Sequence, residues 1–476
     1  MGNGSRGTAA SVVICGAGMS GLTAAAMALE CGARVALIEK STAPGGSYVL
    51  SGGNFWTYSE LSRFRAEIPG GNPVLQEIVH SSARGDRQWL SGIGVRLDDE
   101  KEVLGKGMGQ LTEPEQATDA MVRHIHGAGG SLRTETALES LLLDDGRIVG
   151  VTTRDSGGRF ATLRADAVIL ATGGYQGNPE LITKYLRTRP ENLYLRAAGW
   201  STGDGLLSAI AAGAGTTSGL DDFYGHAMAS PPASFTQQHF SDVSLYFGGT
   251  AIAINLEGRR FTDETDGTGE EHLNRELARQ PEGRGFYLID ETIVRGESRP
   301  GRAPTSALLD RLGSFGATIV TADNLRGLAI ELTSYGVPES VTLDTLESFN
   351  AACASGAGST LVPPRKKDQI PLTTPPFYAV AAKAAITFTT GGIRIDEKAR
   401  VLARSSSSSP LAQSISDLLD YREVVVPGLF AAGCDVGGIY AGGNYGGSLS
   451  AALTTGRIAG REAATRQPNQ EAGNGG

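Results

Sequence analysis

The chain has 476 residues, 40% of them hydrophobic and 20% charged, with a formal net charge of −9; that is enough length for two to four domains with their own cores, in a globular rather than disordered composition. The acidic balance argues against nucleic acid or an anionic membrane surface as the main partner, and no apolar run reaches the roughly 18 residues of a membrane span. Glycine, at 66 residues, is far above its usual share, while Cys15, Cys31, Cys353 and Cys434 lie far apart without a CxxC pair, which fits a reduced, cytoplasmic setting with Cys15 and Cys31 as small core residues.

Residues 1–10 read as a flexible tail. From Val12 an apolar run too short for a helix leads into Gly16-Ala17-Gly18-Met19-Ser20-Gly21, then an Ala- and Leu-rich helical run, then a second apolar run ending in Glu39 and Lys40. This strand, turn, helix, strand order is the dinucleotide-binding βαβ pattern. Gly16 permits the tight turn, Gly18 a close approach of pyrophosphate, and Gly21 close packing of helix on sheet. Met19 and Ser20 sit where the helix N-terminus offers unpaired N–H groups to phosphates, and Glu39 can accept hydrogen bonds from a ribose. Gly45-Gly46-Ser47 and Ser51-Gly52-Gly53 follow as a loop suited to lie along an extended cofactor.

The periodicity from Asn72 to Ile125 is helical, and two apolar runs around Asp144-Asp145-Gly146 signal a hairpin. A buried strand from Arg164 to Leu170 ends in Ala171-Thr172-Gly173-Gly174, again suited to backbone contact with a ligand at the carboxyl edge of a parallel sheet. Gly203-Asp204-Gly205 opens an amphipathic helix through Leu206, Ile210 and Ala214, with Asp204 able to cap it. Residues 228–374 read as a separate cap, with a helix from Thr342 to Cys353 that aligns Leu346, Phe349 and Cys353, and with Pro371 to Pro376 marking its exit. The remainder, 375–465, returns to the first unit (11–227) through Gly433-Cys434-Asp435 and a glycine turn at Gly443 to Gly447 that opens a last helix at Ser448-Leu449. Ser405 to Ser409 reads as a mobile hairpin tip and the stretch from Ala464 onward, 466–476 above all, as a disordered tail.

Together, and in this order, these segments resemble the flavoprotein family of fumarate reductase, succinate dehydrogenase, tricarballylate dehydrogenase and 3-ketosteroid dehydrogenase, over roughly residues 15 to 465. The resemblance implies an α/β fold: a Rossmann-like, glutathione-reductase-like FAD-binding domain with an inserted α+β cap that covers the substrate. It also implies FAD held by Gly16, Gly18, Gly21 and Glu39, by the loop of Gly45, Gly46, Ser47, Ser51 and Gly52, by Asp204, and by Ser448 and Leu449, whose helix N-terminus would stabilise negative charge on the flavin. Cys434 stands where the family often has an acid, which leaves Asp435 as a ribityl contact. No histidine lies in the glycine loop around Tyr48, so the resemblance implies non-covalent FAD, and no metal.

Two departures bear on the substrate. Fumarate reductases carry a histidine where this chain has Phe388, and an arginine where it has Tyr445 after Asn444; the clamp for a dicarboxylate is therefore incomplete. A tyrosine at this last position is similar to 3-ketosteroid dehydrogenases, where the phenol hydrogen-bonds a ketone. His226 matches the family's substrate-binding histidine, with Tyr224 beside it. Arg275 lies near the place of the proton-donating arginine, or else is a solvated residue on a charged helix with Glu271 and Glu276. The expected activity is desaturation, or the reverse reduction, of a C–C bond next to a ketone or enone, with an electron donor or acceptor left open. The alternatives are a carboxylate dehydrogenase or reductase of tricarballylate or fumarate type, and a flavin oxidase or monooxygenase.

Overall fold

The computed structural model describes residues 11–267, 269–298, 303–404 and 424–465. The predicted N-terminal tail, residues 466–476 and the serine run from Ser405 fall outside these residues. The central sheet has six strands in the spatial order Arg400–Leu402, Val425–Ala431, Ala167–Leu170, Ser11–Cys15, Arg34–Ile38, Ser131–Arg133. All neighbours run parallel except the edge pair of Arg400–Leu402 with Val425–Ala431. The middle strands are apolar on both faces because helices cover both sides: Ile14, Leu37, Ile169 and Phe430 are fully buried.

Helix Met19–Glu30 crosses over between the first two strands, and the last helix, Ser448–Thr465, packs along it. This brings the first and last described helices together. Ala464 and Thr465, expected in the tail, belong instead to helix Ser448–Thr465. The expected helical stretch from Asn72 to Ile125 is two helices, Pro73–Gly92 and Pro114–Gly127, separated by strands Lys101–Val103 and Gly107–Leu111. Strand Gly107–Leu111, which carries two glycines, pairs with Asn54–Tyr58 on one side and Lys101–Val103 on the other instead of continuing a helix. The hairpin turns at Asp145-Gly146, both with positive φ. The helix after Gly203 covers Asp204–Ala211 and leaves Ala214 outside it. Cys15 is buried but Cys31 is exposed, because it caps the outward-facing end of helix Met19–Glu30.

A second sheet carries the cap. Its strands are ordered Met228–Ala229, Phe377–Lys383, Arg284–Asp290, Ile252–Asn255, with Ile319–Ala322 also pairing with Phe377–Lys383. Helix Glu339–Ala354 buries Thr342, Leu346, Phe349 and Cys353 on one face, as its spacing predicts. Strand Phe377–Lys383 belongs to this sheet rather than to the returning segment 375–465, since it pairs with Arg284–Asp290 along its whole length. The chain enters the cap just after the pair Phe223–Tyr224 and leaves it just before Phe388–Thr389. Those two short strands are themselves antiparallel partners, Tyr224 opposite Phe388. The cap thus stands on a narrow two-stranded stem.

Gly21 lets helix Met19–Glu30 sit directly against the turn that leaves the first strand: a Cβ there would lie 1.8 Å from the carbonyl oxygen of Gly16. Gly21→Ala is expected to force helix Met19–Glu30 off the sheet at a cost of about 1–3 kcal/mol, measured as a lower urea midpoint than wild type together with a reduced FAD content.

Candidate functional site

One long cavity runs from the glycine turn of the central sheet to the stem of the cap. At its first end Gly16, Gly18, Met19 and Ser20 form one wall, Glu39 and Lys40 another, and Gly46, Ser47, Ser51, Gly52 and Gly53 a third. Ala171, Thr172, Gly173 and Asp204 close the side, with Gly433, Cys434, Ser448 and Leu449 at the far edge. The sequence segments singled out by glycine and acid content therefore meet around one space.

The cofactor implied by the sequence can be tested against this space. A Cβ at Gly18 would meet nothing nearer than 3.9 Å and one at Gly52 nothing within 4 Å, so both positions face open cavity. Gly16 differs: a Cβ there would lie 2.2 Å from the Ala171 carbonyl oxygen, so its glycine serves the crossing of strand and turn. Helix Met19–Glu30 begins at Gly18 with no side-chain cap, which leaves its N–H groups and partial positive charge for an anion. Glu39 accepts from the N–H groups of Ala17 (2.7 Å) and Ser41 (2.8 Å), fixing its carboxylate beside the cavity with lone pairs left for ribose hydroxyls. Lys40 donates to Thr202 (2.6 Å) and pairs with Asp204 (2.9 Å), so Asp204 ties two segments together instead of capping its helix, whose N-cap is Gly203. These residues suit an extended dinucleotide: phosphates at the helix N-terminus, ribose at Glu39, and the reactive ring toward the cap.

Four expected cofactor residues lie behind the wall rather than on it. Gly21 packs against Gly16, Gly45 against Val49, and Gly174 against Thr389 and Gln176. Asp435 is 1% exposed and turns away from the cavity; it accepts from the backbone N–H and hydroxyl of Thr172 and, at 3.4 Å, from the N–H of Gly174. Its role is to hold the glycine turn after strand Ala167–Leu170, and Cys434 takes the wall position. Burial, with a smaller contribution from Asp204, pushes the Asp435 carboxyl up to about 6.

The second end of the cavity is aromatic. Tyr224 stacks on Tyr445 (centroids 4.4 Å apart) and on Phe388 (4.9 Å), both at 29°. Trp56 Nε1–H donates to the Tyr445 hydroxyl at 3.2 Å. The Tyr224 hydroxyl bonds to His226 Nε2 at 2.8 Å, and His226 Nδ1 bonds to Glu270, whose other oxygen accepts from the Ala227 N–H at 2.8 Å. All three side chains are buried, and Tyr224 and His226 line the cavity with Tyr445. Glu270 sits in the first turn of helix Glu270–Leu277, where the helix dipole favours a negative charge.

Arg275 does not reach this space. It pairs with Asp222 at 2.8 Å and approaches His272 at 3.2 Å, and Asp222 in turn holds Thr390 and the N–H of Gly443. It is neither at the cavity nor solvated, since its side chain is 16% exposed. Sequence reasoning also missed Trp56, Glu270, Tyr246 and Arg196; of these, Trp56, Tyr246 and Arg196 line the cavity. Trp56 lies three residues beyond Gly53, close enough to a glycine loop to have been noticed. The others carry no local signal. Among the described residues no cluster of side chains suited to a metal ion occurs, and no helix is long and apolar enough to cross a membrane.

The fold and the cavity define an FAD-dependent oxidoreductase. The FAD binding domain family, FAD_binding_2, matches residues 11–451, and the chain belongs to that family, with FAD as its non-covalent cofactor. Its relatives span the fumarate reductases and 3-ketosteroid dehydrogenases. The chain is 26% identical over 489 aligned residues to the fumarate reductase (cytochrome) of Shewanella frigidimarina, covering 95% of this chain and 76% of that protein. It is 25% identical to the vinyl phenol reductase of Lactiplantibacillus plantarum, covering 95% and 96%. In fold it is similar to the 3-ketosteroid Δ1-dehydrogenase of Sterolibacterium denitrificans, with a TM-score of 0.70 at 19% identity over 96% of this chain and 99% of that one.

Because a buried carboxyl with a raised pKa favours the native state only while protonated, Asp435 contributes stability below about pH 4 that is lost as pH rises through about 6. The urea midpoint of Asp435→Asn is expected to lack this fall between those two values, so that the wild type and the variant converge or cross as pH rises; parallel curves would exclude the assignment.

Proposed function

We propose that the protein transfers hydrogen across a C–C bond conjugated to a carbonyl or carboxyl group, with Tyr224 as the proton-carrying residue. The observation that carries this reading is the buried array Tyr224, His226, Glu270, which ends at the cavity wall. When bound, FAD supplies or accepts the hydride at one carbon. A proton must then reach or leave the neighbouring carbon, and a positioned side chain with an internal proton supply is what that step requires.

In the reductive direction the Tyr224 O–H gives its proton to the substrate carbon. The phenolate oxygen regains a proton from His226 Nε2, and the imidazole left behind is neutral, its Nδ1–H directed at the Glu270 carboxylate. The bond from the Ala227 N–H to Glu270 holds that carboxylate in place, so the imidazole keeps one orientation. In desaturation the same protons move in reverse. Tyr445, with its oxygen already accepting from Trp56, donates to the substrate's carbonyl oxygen and stabilises the enolate-like charge that develops there. The stacked rings of Tyr224, Phe388 and Tyr445 exclude water from the reacting carbons.

The sequence placed ketones first. The named activities of the relatives, reduction of fumarate and of vinyl phenol in addition to ketosteroid dehydrogenation, give the reductive direction more weight than that ranking did, and fumarate gives unsaturated acids more weight.

Tyr224→Phe is expected to retain FAD and lower kcat by on the order of 10²–10⁴, with little change in KM, in an anaerobic assay following reoxidation of the reduced flavin by conjugated ketones and acids. A variant with wild-type turnover would remove Tyr224 from the proton path.

A further inference from the structure

Arg196 has no part in the proton path just described, yet it lines the same cavity. It follows the short strand Tyr194–Leu195, which pairs with Ala385–Ile386, and its N–H is bonded to the Ile386 carbonyl at 2.8 Å. Two residues on, the Ala198 N–H donates to Ser47 Oγ at 3.0 Å, in the glycine loop of the cofactor end. Arg196 is therefore fixed between the two ends of the cavity.

Its guanidinium is held only by neutral groups. Nε–H donates to Ser244 Oγ at 3.3 Å and Nη1–H to Thr387 Oγ1 at 3.1 Å. The Ser244 hydroxyl hydrogen is committed to the Phe240 carbonyl at 2.7 Å, so its oxygen is left as an acceptor for the arginine. Nη2 has no acceptor, and no carboxylate lies within ion-pair distance of Arg196, among the described residues. The other arginines sequestered in this half of the molecule behave differently: Arg260 and Arg365 pair with Glu264, and Arg275 with Asp222. A half-buried cation without a counter-ion is costly unless something else supplies the negative charge. The remaining cationic wall residue, Lys40, is already paired with Asp204. Phe388 and Tyr445, on the same cavity, contribute rings and no charge.

We infer that Arg196 is the specificity-determining residue of this site, oriented by Ser244 and Thr387 to receive a single carboxylate of a flat, conjugated substrate whose carbon skeleton lies against Tyr224, Phe388 and Tyr445. The inference rests on the proposed hydrogen transfer and narrows its substrate to monocarboxylates. A second carboxylate on the substrate would have to lie against the aromatic wall, without a partner.

The test uses the FAD-loaded protein, with cinnamate and its uncharged methyl-ketone counterpart benzylideneacetone as probes. Dissociation constants come from perturbation of the oxidised flavin spectrum, and FAD content and thermal midpoint verify that each variant is folded. Arg196→Gln is expected to weaken cinnamate binding by roughly 100-fold while leaving benzylideneacetone unchanged; Arg196→Lys, which keeps the charge and loses the planar fork, should fall between. Equal losses for both probes in Arg196→Gln, no loss for cinnamate, or an unmutated protein that binds benzylideneacetone but not cinnamate would overturn the assignment. Cinnamate that binds through Arg196 but does not reoxidise the reduced flavin, with benzylideneacetone equally inert, would instead overturn the proposed hydrogen transfer and leave the anion site standing.

Discussion

The substrate end of the molecule depends on one buried carboxylate. Glu270 is 5% exposed, and an acid at that depth persists only if hydrogen bonds replace its hydration. They come from the stem of the cap: the N–H of Ala227 and the imidazole of His226. Satisfying Glu270 thus fixes the register of the stem strand against helix Glu270–Leu277. Once Nδ1 is committed there, Nε2 faces the Tyr224 hydroxyl, and the phenol is held against Tyr445 and Phe388. The orientation of the ring that closes the cavity is a consequence of compensating a charge elsewhere.

The cofactor end is organised differently, by backbone and by the absence of side chains. Gly18 and Gly52 leave room, helix Met19–Glu30 leaves its first N–H groups unclaimed, and the first and last helices of the chain meet beside them. The two ends have opposite tolerances. Space and peptide dipoles at the glycine turn serve any member of a family that binds the same dinucleotide, whereas in the proposed function the polar contacts around Tyr224 and Arg196 serve one kind of substrate.

That division explains what was legible in the sequence. The glycine turn, Glu39 and the Ser448-Leu449 helix start are local patterns, in which neighbours along the chain are also neighbours in space. Arg196 became visible only when Thr387, 191 residues away, was placed beside it, and Glu270 only through His226, 44 residues earlier. Arg275 was misread for the same reason: its partner Asp222 lies 53 residues back, and a charged helix gives no hint of it. Asp435 follows a glycine that does line the cavity, but strand Val425–Ala431 delivers its side chain to the neighbouring turn instead. Strand Phe377–Lys383 falls in the returning segment of the sequence reading because the prolines Pro371 to Pro376 mark a break in the chain without saying which sheet the next strand joins.

The stem of the cap has a further consequence, for how such a molecule can change over time. Entry and exit are pinned together by Tyr224 opposite Phe388 and Met228 opposite Lys383, so everything between them is, topologically, one closed loop. The entropy of closing a loop rises only with the logarithm of its length, by about 0.6 kcal/mol per doubling. Segments can be gained or lost within the cap at little cost to the pairing that closes it, and the roof over the substrate is free to vary in size while the chemistry stays in the neck.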